Sequence, residues 1–337
     1  SRFIDAAGNE NTAGTITLAI DTLPPSPPVI TTSGSISSKT PAISGTAEAG
    51  STVTLFIDGA DIGVIVQADQ TTGAYTVVPT SDLTEGIHTF TIRATDAAGN
   101  TSSNSVDITI DTTAPAQPAI TQPVITTDML ITNNNTPVLE GTAEPGSVVK
   151  FQIFGQETGL STVASSEGVF RFDFSEEGEV IPDDSYVVTV TATDEAGNTS
   201  EPSTGLNITI DTTLPIQPSI TTTTSLTNSN TPTIEGTAEA GSTVELFNGS
   251  ESLGTVNAGN DGNFSIVSSQ LADADYTLTV TATDEAGNTS EPSTGLNITI
   301  DTTAPATPVI TTTTLLTKDN TPTIEGTAEA GSTVELF

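Results

Sequence analysis

Self-similarity limits what this chain can fold into more than any other feature. Ile-Asp-Thr-Thr occurs at 110–113, 210–213 and 300–303, with the shorter Ile-Asp-Thr at 20–22. Gly-Thr-Ala-Glu occurs at 45–48, 141–144, 236–239 and 326–329, and Asp-x-Ala-Gly-Asn at 5–9, 96–100, 194–198 and 284–288. The motifs keep one order and one phase, so Asp21, Asp111, Asp211 and Asp301 step by 90, 100 and 90 residues. Such a period means one structural unit repeated along the chain. Residues 189–213 are identical to 279–303, and 231–247 to 321–337, which implies recent copying of that unit. The phase predicts complete repeats at 21–110, 111–210 and 211–300. Residues 1–20 read as the C-terminal part of a preceding repeat and 301–337 as the N-terminal part of a following one. A window on a longer array is the expected reading of these ends. Exchange of strands between chains is the weaker one, because the two fragments together fall short of one repeat.

Within a repeat the dominant period is two. In Tyr276-Thr-Leu278-Thr-Val280-Thr-Ala282-Thr, apolar and threonine side chains alternate, as do Leu296, Ile298 and Ile300 before the next linker. Alternation of this kind marks half-buried strands. Val244 with Leu246, and Phe264 with Ile266, mark further strands, separated by turn clusters such as Asn260-Asp261-Gly262-Asn263. Roughly seven short strands per repeat predict a two-sheet sandwich. No stretch has a 3.6-residue apolar period with caps, so helices should be nearly absent. Pro24, Pro115, Pro215 and Pro305 follow the Asp-Thr linkers and suit an extended entry into a first strand.

The charge balance removes whole classes of function. There are 42 acidic side chains against 6 basic ones, a formal net charge of -36, so a phosphate backbone is repelled rather than bound. With no cysteine there is no disulfide and no thiolate chemistry. No apolar run approaches a membrane span, and residues 1–20 lack the pattern of a secretory leader. Between Asp211 and Ile300 there is no Lys, Arg or His but there are eleven carboxylates, so no salt bridge can form inside that repeat. Each of those carboxylates is solvated, accepts hydrogen bonds from N–H groups, or binds a metal.

The ordered string Thr-Pro, Gly-Thr-Ala-Glu-x-Gly-Ser, a Tyr-led strand, Asp-x-Ala-Gly-Asn and Ile-Asp-Thr-Thr-x-Pro resembles the bacterial immunoglobulin-like (BIg) tandem repeats of giant secreted adhesins of the RTX and biofilm-associated type. The resemblance covers essentially the whole chain. It implies an all-β protein of tandem immunoglobulin-like β-sandwich repeats arranged end to end, in which the repeats act as extenders, often rigidified by Ca2+ at their junctions. The middle repeat departs from its neighbours by ten extra residues and an acidic insertion around Glu176 to Glu179, and the first carries His88 where the others carry Tyr186 and Tyr276.

Hard oxygen ligands without cysteine select Ca2+ or Mg2+, and irregular loops suit Ca2+ better. In the immunoglobulin strand order the Gly-Thr-Ala-Glu turn, the Asp-x-Ala-Gly-Asn turn and the preceding linker reach one pole. The expected ligand groups are therefore Asp21, Glu48 and Asp96; Asp111, Glu144 and Asp194; Asp211, Glu239 and Asp284; and, in the last fragment, Asp301 and Glu329. Asn100, Asn198 and Asn288 add a carbonyl or hold a turn. The competing reading makes the same aspartates local turn formers and the Gly-Asn pairs positive-φ positions. Asp183, Asp184, Asp273 and Asp275 lie at the opposite pole, where they would approach the next linker.

Other residues point away from catalysis. His88 stands eight residues before Asp96, as Tyr276 stands before Asp284, so it takes the slot of a tyrosine-corner residue. The second and third repeats have no histidine to activate a serine, and the third has no lysine for an isopeptide crosslink. With no Trp and 4% aromatic residues, a sugar-binding platform is disfavoured. The expected function is the structural extender of a large bacterial cell-surface adhesin: extracellular, not an enzyme, and partnered by neighbouring repeats of its own chain. The alternative is a subunit of a surface layer, sheath or extracellular filament. That alternative calls for a repeated exposed apolar patch, which a spacer lacks.

Overall fold

The computed structural model describes residues 4–10, 17–123, 129–176, 178–313 and 316–337. No helix occurs among them, and none is long and apolar enough to cross a membrane, which says nothing of a β-barrel. The first repeat has eight strands: β1 (Val29–Ile30), β2 (Gly34–Ile36), β3 (Ile43–Thr46), β4 (Thr52–Ile57), β5 (Ala60–Gln67), β6 (Ala74–Val77), β7 (Gly86–Thr95) and β8 (Thr101–Ile110). They form a three-stranded sheet in the order β1-β3-β6 and a five-stranded sheet in the order β2-β8-β7-β4-β5. The first strand is therefore divided between the sheets. Its first piece pairs antiparallel with β3, and after Gly34, at φ 85°, its second piece pairs parallel with β8. This division is where the predicted seven strands become eight.

The middle repeat holds β9 (Ala119–Gln122), β10 (Leu130–Thr132), β11 (Val138–Thr142), β12 (Val148–Ile153), β13 (Gln156–Val163), β14 (Val169–Asp173), β15 (Asp184–Thr193) and β16 (Leu206–Ile210). Again β10 pairs parallel with β16, while β11 lies between β9 and β14, and β12 pairs with β13 and β15. Glu177 of the acidic insertion lies outside the described residues. The third repeat holds β17 (Ser219–Ile220), β18 (Leu226–Thr227), β19 (Thr233–Thr237), β20 (Thr243–Asn248), β21 (Glu251–Asn257), β22 (Asn263–Val267), β23 (Ala274–Thr283) and β24 (Leu296–Ile300). Its sheets run β17-β19-β22 and β18-β24-β23-β20-β21. The final fragment pairs β25 (Val309–Ile310) with β26 (Gly326–Thr327).

The chain divides into two compact units, one of Ser1–Thr126 with Val138–Glu177 and Tyr186–Asn207, the other of Thr127–Pro137 with Gly178–Ser185 and Ile208–Phe337. The residues of the 111 linker and their partners fall within the first, and those of the 211 and 301 linkers within the second.

Alternation along each strand sends one side chain in two to the interior. In the third repeat Ile234, Val244, Leu246, Phe264, Leu278, Val280 and Ile298 build the core, and in the first Ile43, Val53, Leu55, Phe90, Ile92 and Ile108 do so. The middle repeat fills its core with rings: Phe151 and Phe172 stand 4.7 Å apart by centroids, and Phe172 and Phe174 meet edge to face at 4.9 Å. Strand β8 pairs with β7 over its ten residues, whereas β24 pairs with β23 only from Leu296 onward. Pro292 explains the difference, because it has no N–H for a ladder. In its place Ser290 and Ser293, both buried, accept the Ala282 and Val280 N–H groups on their hydroxyls at 3.0 and 3.1 Å.

The glycine of Gly-Thr-Ala-Glu has a packing cause. A Cβ on Gly236 would lie 2.2 Å from the Ser219 carbonyl oxygen and 2.4 Å from the Phe264 ring, and Gly141 and Gly45 are as closely covered. The motif keeps the first strand and one aromatic ring tight against β3, β11 and β19. Replacing Gly236 with Ala is expected to lower the stability of the third repeat by about 1–3 kcal/mol, the usual cost of overpacking, measured as a shift of its step in denaturant unfolding.

His88 occupies the tyrosine-corner slot. Its Nε2 is 2.9 Å from the Thr84 carbonyl four residues back, as the Tyr276 hydroxyl donates to the Ala272 carbonyl at 3.1 Å. Its Nδ1 is 2.7 Å from Asp58 Oδ2, so both ring nitrogens face acceptors and the imidazolium is favoured. The Asp58 carboxylate, first, and the Thr84 carbonyl raise the His88 pKa, and His88 with the Thr89 N–H lowers that of Asp58. The histidine contribution is complete below its ordinary 6.5 and is lost as pH rises through the raised folded value. The aspartate contribution is present above its ordinary 3.8 and is lost as pH falls through the lowered folded value. Thermal melts of the first repeat should therefore decline from near-neutral toward alkaline pH, and His88→Tyr should flatten that decline.

Candidate functional site: the repeat junctions

Each linker begins as an extra step of the last strand. The Asp111 N–H donates to the Ile36 carbonyl at 3.1 Å, Asp211 to Thr132 at 3.0 Å and Asp301 to Thr227 at 3.0 Å, prolonging the parallel pairing of the last strand with the second. The linker aspartate then closes its own turn: Oδ1 of Asp21, Asp111, Asp211 and Asp301 accepts the N–H two residues on, each at 3.0 Å.

The preceding repeat grips the linker threonines with a carboxylate. Asp273 Oδ1 accepts the Thr302 N–H at 3.0 Å and its hydroxyl at 2.8 Å, while Oδ2 accepts the Thr303 hydroxyl at 2.9 Å. Asp183 does the same for Thr212 and Thr213, at 3.1, 2.9 and 3.2 Å. In the first repeat Glu85 takes this part, accepting the Thr112 N–H at 3.0 Å together with its hydroxyl. The threonine side-chain bonds come first among the causes that hold Glu85, Asp183 and Asp273 below the ordinary carboxylate range.

The following repeat grips the linker backbone with an amide. In the turn 284–288, Asp284 Oδ1 accepts the Asn288 N–H and Oδ2 accepts Asn288 Nδ2, both at 2.8 Å. The same Nδ2 donates to the Asp211 carbonyl at 2.8 Å. Asn198 repeats this between Asp194 and the Asp111 carbonyl at 2.8 and 2.8 Å, and Asn100 between Asp96 and the Asp21 carbonyl at 2.8 and 3.1 Å. Both neighbours of Nδ2 are acceptors, which assigns the amide orientation. Gly287, at φ 94°, gives the turn a backbone that L side chains rarely adopt. Among the described residues one direct backbone bond joins second and third repeats, from the Asn133 N–H to the Ala286 carbonyl at 3.1 Å.

The geometry engages the expected calcium ligands in hydrogen bonds of their own. The structure brings the linker aspartate and the 96–100, 194–198 and 284–288 turns together at one pole, but through an asparagine amide on a backbone carbonyl. Among the described residues no three Asp, Glu or His side chains gather to hold a metal. Asp21, Asp111, Asp211 and Asp301 turn a carboxylate oxygen to their own turn. Asp96, Asp194 and Asp284 turn theirs to the following asparagine. Glu48, Glu144, Glu239 and Glu329 use their carbonyls to accept the Ser51, Ser147, Ser242 and Ser332 N–H groups. Of their four carboxylates, that of Glu329 accepts the Ala306 N–H at 3.0 Å, and those of Glu48 and Glu144 are exposed. A calcium site needs about six to eight converging oxygens, and the N–H donors set among these oxygens do not fit one. Asp184 and Asp275 accept from Ser185 and Thr299 and take no part in the linker grip, which Asp183 and Asp273 make. Glu85 and the threonines were not anticipated, although Glu85 stands 27 residues before Thr112, and Asp183 and Asp273 stand 29 before Thr212 and Thr302.

The curated relative Exoglucanase B of Cellulomonas fimi is 28% identical over 304 residues, which is 84% of this chain and 26% of the relative. The chain thus spans about a quarter of that protein. Among solved structures, a 1.5-MDa bacterial ice-binding adhesin studied for host cell surface retention is 24% identical, covering 82% of this chain and 98% of that one, with a TM-score of 0.32. A tetra-tandem repeat from the extending region of a large adhesion protein is 20% identical, covering 90% and 80%, with a TM-score of 0.28. The family model described as bacterial Ig-like domain matches residues 30–112, 125–212 and 219–302. With three tandem matches over most of its length, and a two-sheet sandwich in each, the chain belongs to the bacterial Ig-like domain family.

Proposed function

We propose that the chain is part of the extracellular stalk of a large bacterial cell-surface adhesin, an extender that holds a binding tip away from the producing cell. The observation that carries this reading is the two-sided grip on the 111 and 211 linkers. A carboxylate from the repeat before and an asparagine from the repeat after hold the same few residues, and this recurs at the 111 and 211 linkers. A chain whose repeated polar features serve its own continuity is built to transmit position and force. Exoglucanase chemistry belongs to the named relative, of which this chain spans about a quarter, and is not carried over.

The edge strands favour a stalk over a lattice subunit. Ile65, 62% exposed, faces Thr54 across the sheet, but the corresponding residues of the next repeats are Ser161 opposite Lys150 and Thr255 opposite Glu245. Val163, 61% exposed, likewise corresponds to Gln67 and Asn257. Large apolar side chains on this edge thus do not recur from repeat to repeat, and lateral packing of an array needs a patch that does.

Single-molecule stretching of the chain should give successive unfolding steps, each releasing about 300 Å of contour, as expected for some ninety residues at roughly 3.3–3.6 Å each. Sedimentation over a range of concentrations should show one monomeric species. Lateral assembly into sheets or filaments would replace the stalk by the lattice reading.

A further inference from the structure

We infer that the junctions between repeats are set by an asparagine amide standing between the two oxygens that a bridging cation would join, so that junction order does not depend on calcium. This is a property of the chain's own joints and holds whatever the array carries. Asn288 Nδ2 lies 2.8 Å from the Asp211 carbonyl oxygen and 2.8 Å from Asp284 Oδ2. Asn198 Nδ2 lies 2.8 Å from both the Asp111 carbonyl oxygen and Asp194 Oδ2. An amide NH2 has two hydrogens, so one group satisfies a carbonyl of the linker and a carboxylate of the following repeat at once. The bond to the carboxylate is charge-assisted and the stronger of the two.

Three features make this a closed arrangement. The other carboxylate oxygen of Asp284 takes the Asn288 N–H at 2.8 Å, and the Asp211 carboxylate takes the Thr213 N–H at 3.0 Å. Asn288 is only 5% exposed, so water competes poorly for its amide. From the other side Asp183 holds the Thr212 N–H and the Thr212 and Thr213 hydroxyls. A cation entering between the Asp211 carbonyl and Asp284 would have to displace an NH2 group already bonded to both. Replacing that NH2 by a carboxylate oxygen turns the arrangement inside out: three oxygen groups then face one another, and a divalent cation becomes the natural way to hold them.

The test uses the whole chain, with hydrogen exchange read at the linkers 111–113 and 211–213 in millimolar calcium and in chelator, and far-UV circular dichroism to confirm folding. Wild-type exchange should be the same in both. Asn288→Ala should speed exchange at 211–213 by about tenfold, the scale of one lost hydrogen bond to a charged group, and leave 111–113 unchanged. Asn288→Asp should be as fast in chelator, with calcium restoring protection. A wild-type junction that gains tenfold protection from calcium would overturn the inference, and so would an Asn288→Asp variant indifferent to calcium. If Asn288→Ala unfolds the third repeat, the wild-type comparison and Asn198→Asp at the 111 linker decide the matter on the same terms.

Discussion

Forty-two carboxylates among six cationic side chains must find partners other than salt bridges. An isolated carboxylate at a surface is well solvated, but several turned toward one another repel, and a chain of net charge -36 has too few cations to neutralise them. The structure resolves this with neutral donors. Asp69 collects the N–H groups of Thr71 and Thr72 and the Thr72 hydroxyl, Asp261 collects Asn263, and Asp5, Asp96, Asp194 and Asp284 each collect the asparagine four residues on. Where the middle repeat does carry an arginine, it is shared: Arg171 reaches Asp173 at 2.6 Å and Glu140 and Glu176 at 3.5 and 3.6 Å. The abundance of Thr, Ser and Asn beside the acidic residues is the counterpart of the missing lysines.

The elements legible in the sequence are those where side-chain alternation and burial agree. Strands β23, from Tyr276 onward, and β24 are readable because interior residues are apolar and outward ones are threonine or asparagine. Strand β21 is not, since Glu251–Asn257 is an edge with few buried positions, and its shape comes from a bulge opposite Leu246 and Phe247. The division of the first strand between sheets also leaves no composition signal, because β17 and β18 are two residues each and are held by pairing rather than by propensity.

At the junction the topology was legible, and the turn-forming role of its aspartates was one of the two readings the sequence offered. The strand order correctly takes the linker and the 284–288 turn to one pole, and takes Asp183 and Asp273 to the next linker. What a list of acidic positions hides is that an aspartate followed by N–H groups two to four residues on has partners at no entropic cost of convergence. Three carboxylates from separate loops would have to overcome their mutual repulsion before a cation could join them. The asparagine, whose NH2 can serve a carbonyl and a carboxylate at once, is the group with the right valence. Likewise in Gly-Thr-Ala-Glu the glycine, more than the glutamate, is the position the packing constrains.

The parallel pairing of second and last strands has a mechanical consequence. In the first repeat Gly34, Ser35 and Ile36 sit opposite Ile108, Thr109 and Ile110, and the Asp111 N–H adds one more bond to Ile36. A pull entering through the chain before β2 and leaving through the linker after β8 draws these two strands past each other along their length. The bonds of the pair then stretch together and must break together, whereas an antiparallel pair pulled at one end opens one bond at a time. Toughness in such a fold resides in a handful of bonds loaded at once, placed at the two points where tension enters and leaves, so that the core behind them feels no force until they fail.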